Sequence, residues 1–151
     1  QPTPHFQPPR SSHDLYTPVW TRGVGSEREG RCAICQPPVW LKLKQPAYWY
    51  HMNYVHGICA STGRPYPEPL RYRISLGRNS GMVKWEGWCG ECGAWKGVGS
   101  RSREEVSSAF DCLDGDYLNL TTLNLSPNDY KSTFPHTNWY KHCQKQHKNN
   151  F

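Results

Sequence analysis

Residues 29–35 read EGRCAIC, and residues 86–92 read EGWCGEC. Both are Glu-Gly-x-Cys-x-x-Cys, and each is followed within a few residues by a tryptophan, Trp40 and Trp95. The Cys-x-x-Cys spacing is that of a metal-binding knuckle, which supplies two ligands where a structural zinc takes four. The other two come from a second part of the same repeat. PAYWYHMNYVHG (46–57) places His51 and His56 with four residues between them, and NWYKHCQKQH (138–147) does the same with His142 and His147. An aromatic stands three residues before each leading histidine, Tyr48 and Trp139.

The pattern predicts two sites of two cysteines and two histidines: Cys32, Cys35, His51, His56 and Cys89, Cys92, His142, His147. In the first, 15 residues separate Cys35 from His51, within the range of such zinc sites. In the second, 49 residues separate Cys92 from His142, so that copy carries a long insertion at about 96–135. There Cys112, Cys143 and His136 are alternative ligands. Thiolates and imidazoles suit zinc, and four protein ligands leave no position for water. Two structural Zn2+ per chain are expected, their binding energy acting as folding energy. Cys59, Cys112 and Cys143 are then spare, half-buried thiols.

A staple of this kind matches the composition. Of the 151 residues only 36% are hydrophobic, and Gly and Pro number 13 each, so much of the chain reads as loop. Seven Trp and nine Tyr partly offset the thin aliphatic content. The odd cysteine count, seven with four in knuckles, argues against a pure disulfide framework and for metal in a reducing compartment. The chain opens at Gln1 with no initiator methionine, as an excised piece would. No apolar run reaches the length of a membrane span.

Along the chain, residues 1–13 read as a flexible, Pro-rich leader or extended arm. Residues 14–151 read as a single zinc-binding domain, with finger one at about 28–57 and finger two at 86–148. Tyr16 and Trp20 should pack on the body. Strands are expected at 39–44 and 70–78. A helix is expected at 46–56, opened by Pro46 and closed by Gly57, with Ala47, Tyr48, His51 and Val55 toward the metal. REEVSSAFDCL suggests a short helix, the acidic stretch after it a short strand, and 138–148 the last helix. The fold class is a small, loop-rich, zinc-stabilised α+β domain, its two sites fused into one compact body.

The net charge is +6, unevenly spread. Residues 1–103 hold 14 Lys/Arg against 6 Asp/Glu, residues 104–130 hold 6 acids and no Lys or Arg, and residues 131–151 hold 4 Lys and no acid. A basic body with a basic tail fits a polyanion partner. Candidate contacts are Lys42 and Lys44 on the first strand and Arg71 and Arg73 on the second. Lys141, Gln144, Lys145 and Lys148 recur at i, i+3, i+4 and i+7, one face of the last helix. Gly63-Arg64-Pro65 has the form of a hook in which an extended arginine enters a narrow minor groove.

YTPVWTRGVGSEREGRC (16–32), AYWYHMNYVHGI (47–58), STGRPYPEP (61–69) and EGWCGECGAW (86–95) together resemble the C-terminal domain of fungal transcription regulators of the ustilagic acid synthesis type. The resemblance covers about residues 15–98 and the last helix, and is weaker over 96–135. It implies a zinc-dependent, sequence-specific DNA-binding domain of a nuclear transcription factor, with the eight Cys and His above as ligands. It implies no particular base contacts. Cys59 departs from it, standing where a small polar residue is expected.

Double-stranded DNA is thus the expected partner, bound by a monomer in the nucleus, with no membrane and no small-molecule substrate. A zinc-stapled protein-interaction module is the alternative, using Trp49, Tyr54 and Trp88 as exposed aromatics. A single-stranded nucleic acid (RNA) binder is a further one. The sequence contains no nucleophile elbow, phosphate loop or open-site metal motif, so an enzyme is not expected.

Overall fold

The computed structural model describes residues 2–76, 81–102, 117–119 and 135–147. Each Glu-Gly-x-Cys run is a strand that ends in the first cysteine of its knuckle. In the first copy β3 (Glu29–Cys32) pairs antiparallel with β4 (Val39–Lys42), and the knuckle is the turn between them. In the second copy β6 (Met82–Cys89) pairs antiparallel with β7 (Ala94–Ser102), again with the knuckle at the turn. The registers match toward the knuckle: Arg31 faces Trp40 and Cys32 faces Val39, as Trp88 faces Trp95 and Cys89 faces Ala94.

The correspondence extends one strand further back. β2 (Trp20–Arg22) pairs with β3 so that Arg22 faces Glu29, and β5 (Tyr72–Leu76) pairs with β6 so that Arg73 faces Glu86. Each arginine bonds its glutamate at 2.9 Å through Nε. Each also lies over the tryptophan of its own hairpin, Arg22 at 4.3 Å from the Trp40 ring and Arg73 at 4.4 Å from the Trp95 ring. A second cation–aromatic pair occurs in both copies with its members exchanged: Arg31 over Trp20, and Arg71 over Trp88.

The glycine of each motif is required by close approach. A Cβ on Gly30 would lie 2.9 Å from Pro18 Cβ, and one on Gly87 would lie 2.5 Å from Pro69 Cγ. Both prolines are buried and stand just ahead of the first strand of their copy. Each three-stranded meander gains a fourth, edge strand on the same side. β1 (His5–Phe6) pairs with β2, and β8 (Tyr117–Asn119) pairs with β5. Part of the Pro-rich segment 1–13 is therefore an edge strand. It is tied by the Phe6–Trp20 ring contact and by Gln7 N–H donating to Val19 O at 2.7 Å.

The chain divides into two compact units, Gln1–Pro67 with Cys143–Phe151, and Glu68–His142. In the first, Cys32, Tyr48, Met52 and Ile58 form the buried core, with Tyr16, Leu41, Leu43 and Trp49 packed on it. In the second, Ile74, Val83, Trp85 and Val98 are buried. β6 alternates buried and less buried residues along its length, the period-2 pattern of a strand with one covered face. A bulge in the β6–β7 ladder after Trp85 shifts the register at Val98, which lets Val98 join that core.

The helical segments are α1 (Ala47–Tyr50), continued by a wider turn over His51–Val55, and α2 (Thr137–His147). The expected strand in the acidic stretch is β8. The expected helix over 103–113 lies outside the described residues. Among the described residues, no helix is long and apolar enough to cross a membrane.

The glycine contacts make a direct prediction. Gly87→Ala should destabilise the protein by about 1–3 kcal/mol through overpacking on Pro69. Gly97→Ala, whose Cβ would meet nothing within 4 Å, should be neutral or slightly stabilising. Urea unfolding of the two variants checks this; equal effects would remove the close-approach argument.

Candidate metal centres and basic surface

The first predicted ligand set is assembled. Cys32 ends β3, Cys35 lies in the turn, and His51 and His56 flank the wide turn after α1. Residues five apart on an α-helix point about 140° away from each other. Here the turn closes with His56 N–H donating to His51 O at 3.2 Å, an i→i+5 bond that winds one extra residue into the turn. With this turn both imidazoles reach the knuckle. The same widening leaves Val55, expected on the metal side, 61% exposed.

Cys32 Sγ lies 3.3 Å from His56 Nε2, Cys35 Sγ lies 3.4 and 3.3 Å from His51 and His56 Nε2, and the two Nε2 atoms lie 3.0 Å apart. A tetrahedral ion with the usual Zn–S and Zn–N bonds spaces such atoms by roughly 3.4–3.6 Å, so the four donors fit one ion. Burial lowers the pKa of His51. Burial and then His51 itself lower that of His56, to about 4. Both imidazoles are thus neutral at neutral pH, with lone pairs available to a metal. Burial, followed by neighbouring Cys32, pushes the Cys35 thiol up; a bound cation reverses that preference by taking the thiolate as ligand.

The second set also forms a group. Donor atoms of Cys89, Cys92, His142 and His147 all lie within 4.8 Å of one another, with Cys92 Sγ 3.8 Å from His142 Nε2. Of the alternative ligands, His136 is buried elsewhere, its Nε2 2.8 Å from the Tyr72 hydroxyl, and Cys143 is not in the group. Cys112 lies outside the described residues. Cys59 and Cys143 are fully buried, at 2% and 1% exposure, where half-buried thiols were expected. The Cys59 thiol sits in the 59–62 turn. Burial raises its pKa, but bonds from Ser61 and Thr62 outweigh that and leave it lowered.

The candidate DNA contacts differ in what already holds them. Lys42 pairs with Glu27, and Arg73 with Glu86 and the Trp95 ring. Arg71 is exposed but lies near both Trp88 and Trp95. Gln144 accepts a hydrogen bond from the Tyr54 hydroxyl. Lys141 is half-buried, while Lys44 and Lys145 are exposed. Lys148 lies outside the described residues. Trp49, Tyr54 and Trp88, expected as exposed aromatics, are half-buried and have internal partners: Tyr16, Tyr50 and Trp95.

Arg64 stands at an exposed turn whose backbone is pinned. Gly63 N–H donates to Cys59 O, Cys59 N–H donates to Arg64 O, and Leu15 N–H donates to Gly63 O, each at 2.8 Å. Gly63 adopts φ +71°, and a Cβ there would lie 2.5 Å from Asp14 Oδ1, so only glycine suits both the conformation and the contact. Sequence reading missed Asp14, a single acid in a basic segment. Its side chain is 1% exposed and accepts bonds from the Arg10, Tyr16 and Thr17 N–H groups and from the Arg10 guanidinium. These bonds, the Arg10 guanidinium foremost, hold its carboxyl well below the usual carboxylate range.

A depressed folded-state pKa stabilises above the unfolded value, about 4, and the contribution fades as pH falls below it. Asp14→Ala should cost about 1–3 kcal/mol at pH 7, since it leaves several buried donors unpaired. The gap between wild type and variant should narrow from pH 5 to pH 2.5. Urea midpoints across that range test it; a pH-independent gap would contradict the assigned role.

Comparison with known proteins gives these groups a context. The family described as "Transcription regulator Rua1, C-terminal" matches residues 10–147. "Meiotic expression up-regulated protein 26" of Schizosaccharomyces pombe is 39% identical over 105 residues, covering 62% of this chain and 30% of that protein. "Transcription regulator rua1" of Mycosarcoma maydis is 37% identical over 82 residues, covering 54% of this chain and 10% of that protein. The chain thus spans under a third of the length of either relative. No solved structure matches it. With both cysteine–histidine groups inside the matched span, the chain belongs to the family of the transcription regulator Rua1 C-terminal domain.

Proposed function

We propose that this chain is a sequence-specific, double-stranded-DNA-binding domain of a nuclear transcription regulator, folded around two structural zinc ions. The observation that carries the reading is the pair of closed cysteine–histidine groups within a domain of the transcription regulator family. Cys32, Cys35, His51 and His56 would hold one ion, and Cys89, Cys92, His142 and His147 the other. Two thiolates and two imidazoles favour zinc over harder cations. With four protein ligands in each set no water is left to activate, so the zinc acts by holding the fold, and no enzymatic role is assigned. Residues 14–151, together with the edge strand His5–Phe6 that pairs with β2, act as one binding domain and as a monomer.

Affinity rests on the excess of basic residues, which meet phosphates without regard to sequence. Specificity rests on the few groups that reach base edges. Arg64 is the strongest candidate. Its side chain is exposed and enters no ion pair among the described residues, and its turn is held by backbone hydrogen bonds, so little backbone entropy is lost when it inserts into a groove. Lys145 and Lys44 are next, as phosphate contacts. Lys42, Arg71, Arg73, Lys141, Gln144 and Lys148 complete the proposed set. Arg73 and Gln144 would have to exchange an internal partner for DNA, so their loss should affect stability as well as binding.

Elemental analysis should return two zinc ions per chain. His142→Ala should retain one and lower the melting temperature; two ions with unchanged melting would remove its ligand role. Selection of random duplex DNA by the zinc-loaded chain at near-physiological salt should enrich one motif. Arg64→Ala should relax the preference at one position, at about 1–3 kcal/mol per base pair. Enrichment of no duplex motif would refute the reading.

A further inference from the structure

A groove of about 410 Å³ opens on the first unit, at the small end of sites that hold a discrete ligand. Pro18, Leu43 and Trp49 form the apolar part of its lining, and Gln7, Arg28 and Lys44 the polar part. Several of these groups are fixed. The Trp49 ring stacks on Tyr16 at 5.1 Å, and its Nε1–H donates to Leu43 O at 3.0 Å. Leu43 N–H donates to Arg28 O at 3.0 Å, and Gln7 Nε2 donates to Pro18 O at 2.9 Å.

The charge on this groove is unbalanced. The two acids nearest in sequence are already matched, Glu27 with Lys42 and Glu29 with Arg22. Arg28 and Lys44 are both exposed. Among the described residues neither enters an ion pair, and the Arg28 guanidinium makes one long contact, 3.5 Å to Gln7 Oε1. A concave site with two uncompensated cations, a guanidinium fork and an apolar wall suits a phosphate carrying an organic group.

We propose that this groove seats one phosphate of the DNA backbone between Arg28 and Lys44, with the adjoining sugar against Pro18, Leu43 and Trp49. The inference rests on the duplex-binding reading above and adds to it Arg28, Gln7 and the N-terminal arm. Such a contact positions the protein and carries no sequence information.

The test is a salt titration of duplex binding by the zinc-loaded full chain, on the selected motif and on a scrambled duplex. Each phosphate neutralised by the protein contributes about 0.9 to the slope of log K against log salt. The double variant Arg28→Ala, Lys44→Ala, which gives up one phosphate, should lower that slope by about 0.9, equally on both duplexes, with an unchanged melting temperature. Arg28→Lys should keep the slope. Lys84→Ala, an exposed cation outside the groove, measures the effect of charge removal alone. A double variant that keeps the wild-type slope, or loses no more per charge than Lys84→Ala, overturns the groove while leaving duplex binding intact. A wild-type chain that binds no duplex overturns the broader reading, and the groove falls with it.

Discussion

Four donor atoms within 4.8 Å of one another, drawn from the Cys32–Cys35 knuckle and the His51–His56 turn, are the constraint on which the first unit depends. Cys32 is both a donor and a member of the buried core, beside Tyr48, Met52 and Ile58. A residue that could ligate a metal is thus also one that packs the core. A core this small is marginal on apolar burial alone, and the segments that supply donors also supply most of its apolar surface. The widened turn at His51–Val55 is how this unit brings its two histidines to one knuckle, with a less regular hydrogen-bond pattern; His142 and His147 meet theirs from the end of α2 instead.

The two cysteine–histidine groups were legible in the sequence because metal geometry tolerates few spacings, so a pair of knuckles and a pair of histidines stand out against any background. The meander around each knuckle was not. Arg22 and Glu29 are 7 residues apart, while Arg73 and Glu86 are 13 apart, so the shared partnership has no shared spacing. The exchanged pair hides it further. Trp20 with Arg31 and Arg71 with Trp88 do the same work with the residue types reversed, which preserves the attraction of a cation for a ring and erases the identity. Only Pro18 and Pro69, four residues before Arg22 and Arg73, mark the equivalence along the chain.

The basic surface was legible as charge but not as availability. Composition counts Lys42, Arg73 and Lys44 alike, whereas two of them face carboxylates and the third does not. Helical spacing placed Gln144 on the same face as Lys141 and Lys145, but it could not foresee the Tyr54 hydroxyl, 90 residues away. Arg64 drew notice for its neighbours in sequence. What distinguishes it in space is Asp14, a residue with no motif, whose buried carboxylate presses against Gly63.

The two meanders take their fourth strand on the same edge but from opposite directions along the chain. Phe6 meets Trp20 across 14 residues, and Leu118 meets Ile74 across 44. Chain-closure entropy makes the second pairing costlier by about 1 kcal/mol. During synthesis, β1 and β2 both exist before the first cysteine has been added, whereas β8 appears only after both knuckles and Trp95 are complete. One sheet can thus be built outward from its edge toward its knuckle, and the other from its knuckle toward its edge. The chemistry of the knuckle is indifferent to the order in which its surroundings arrive.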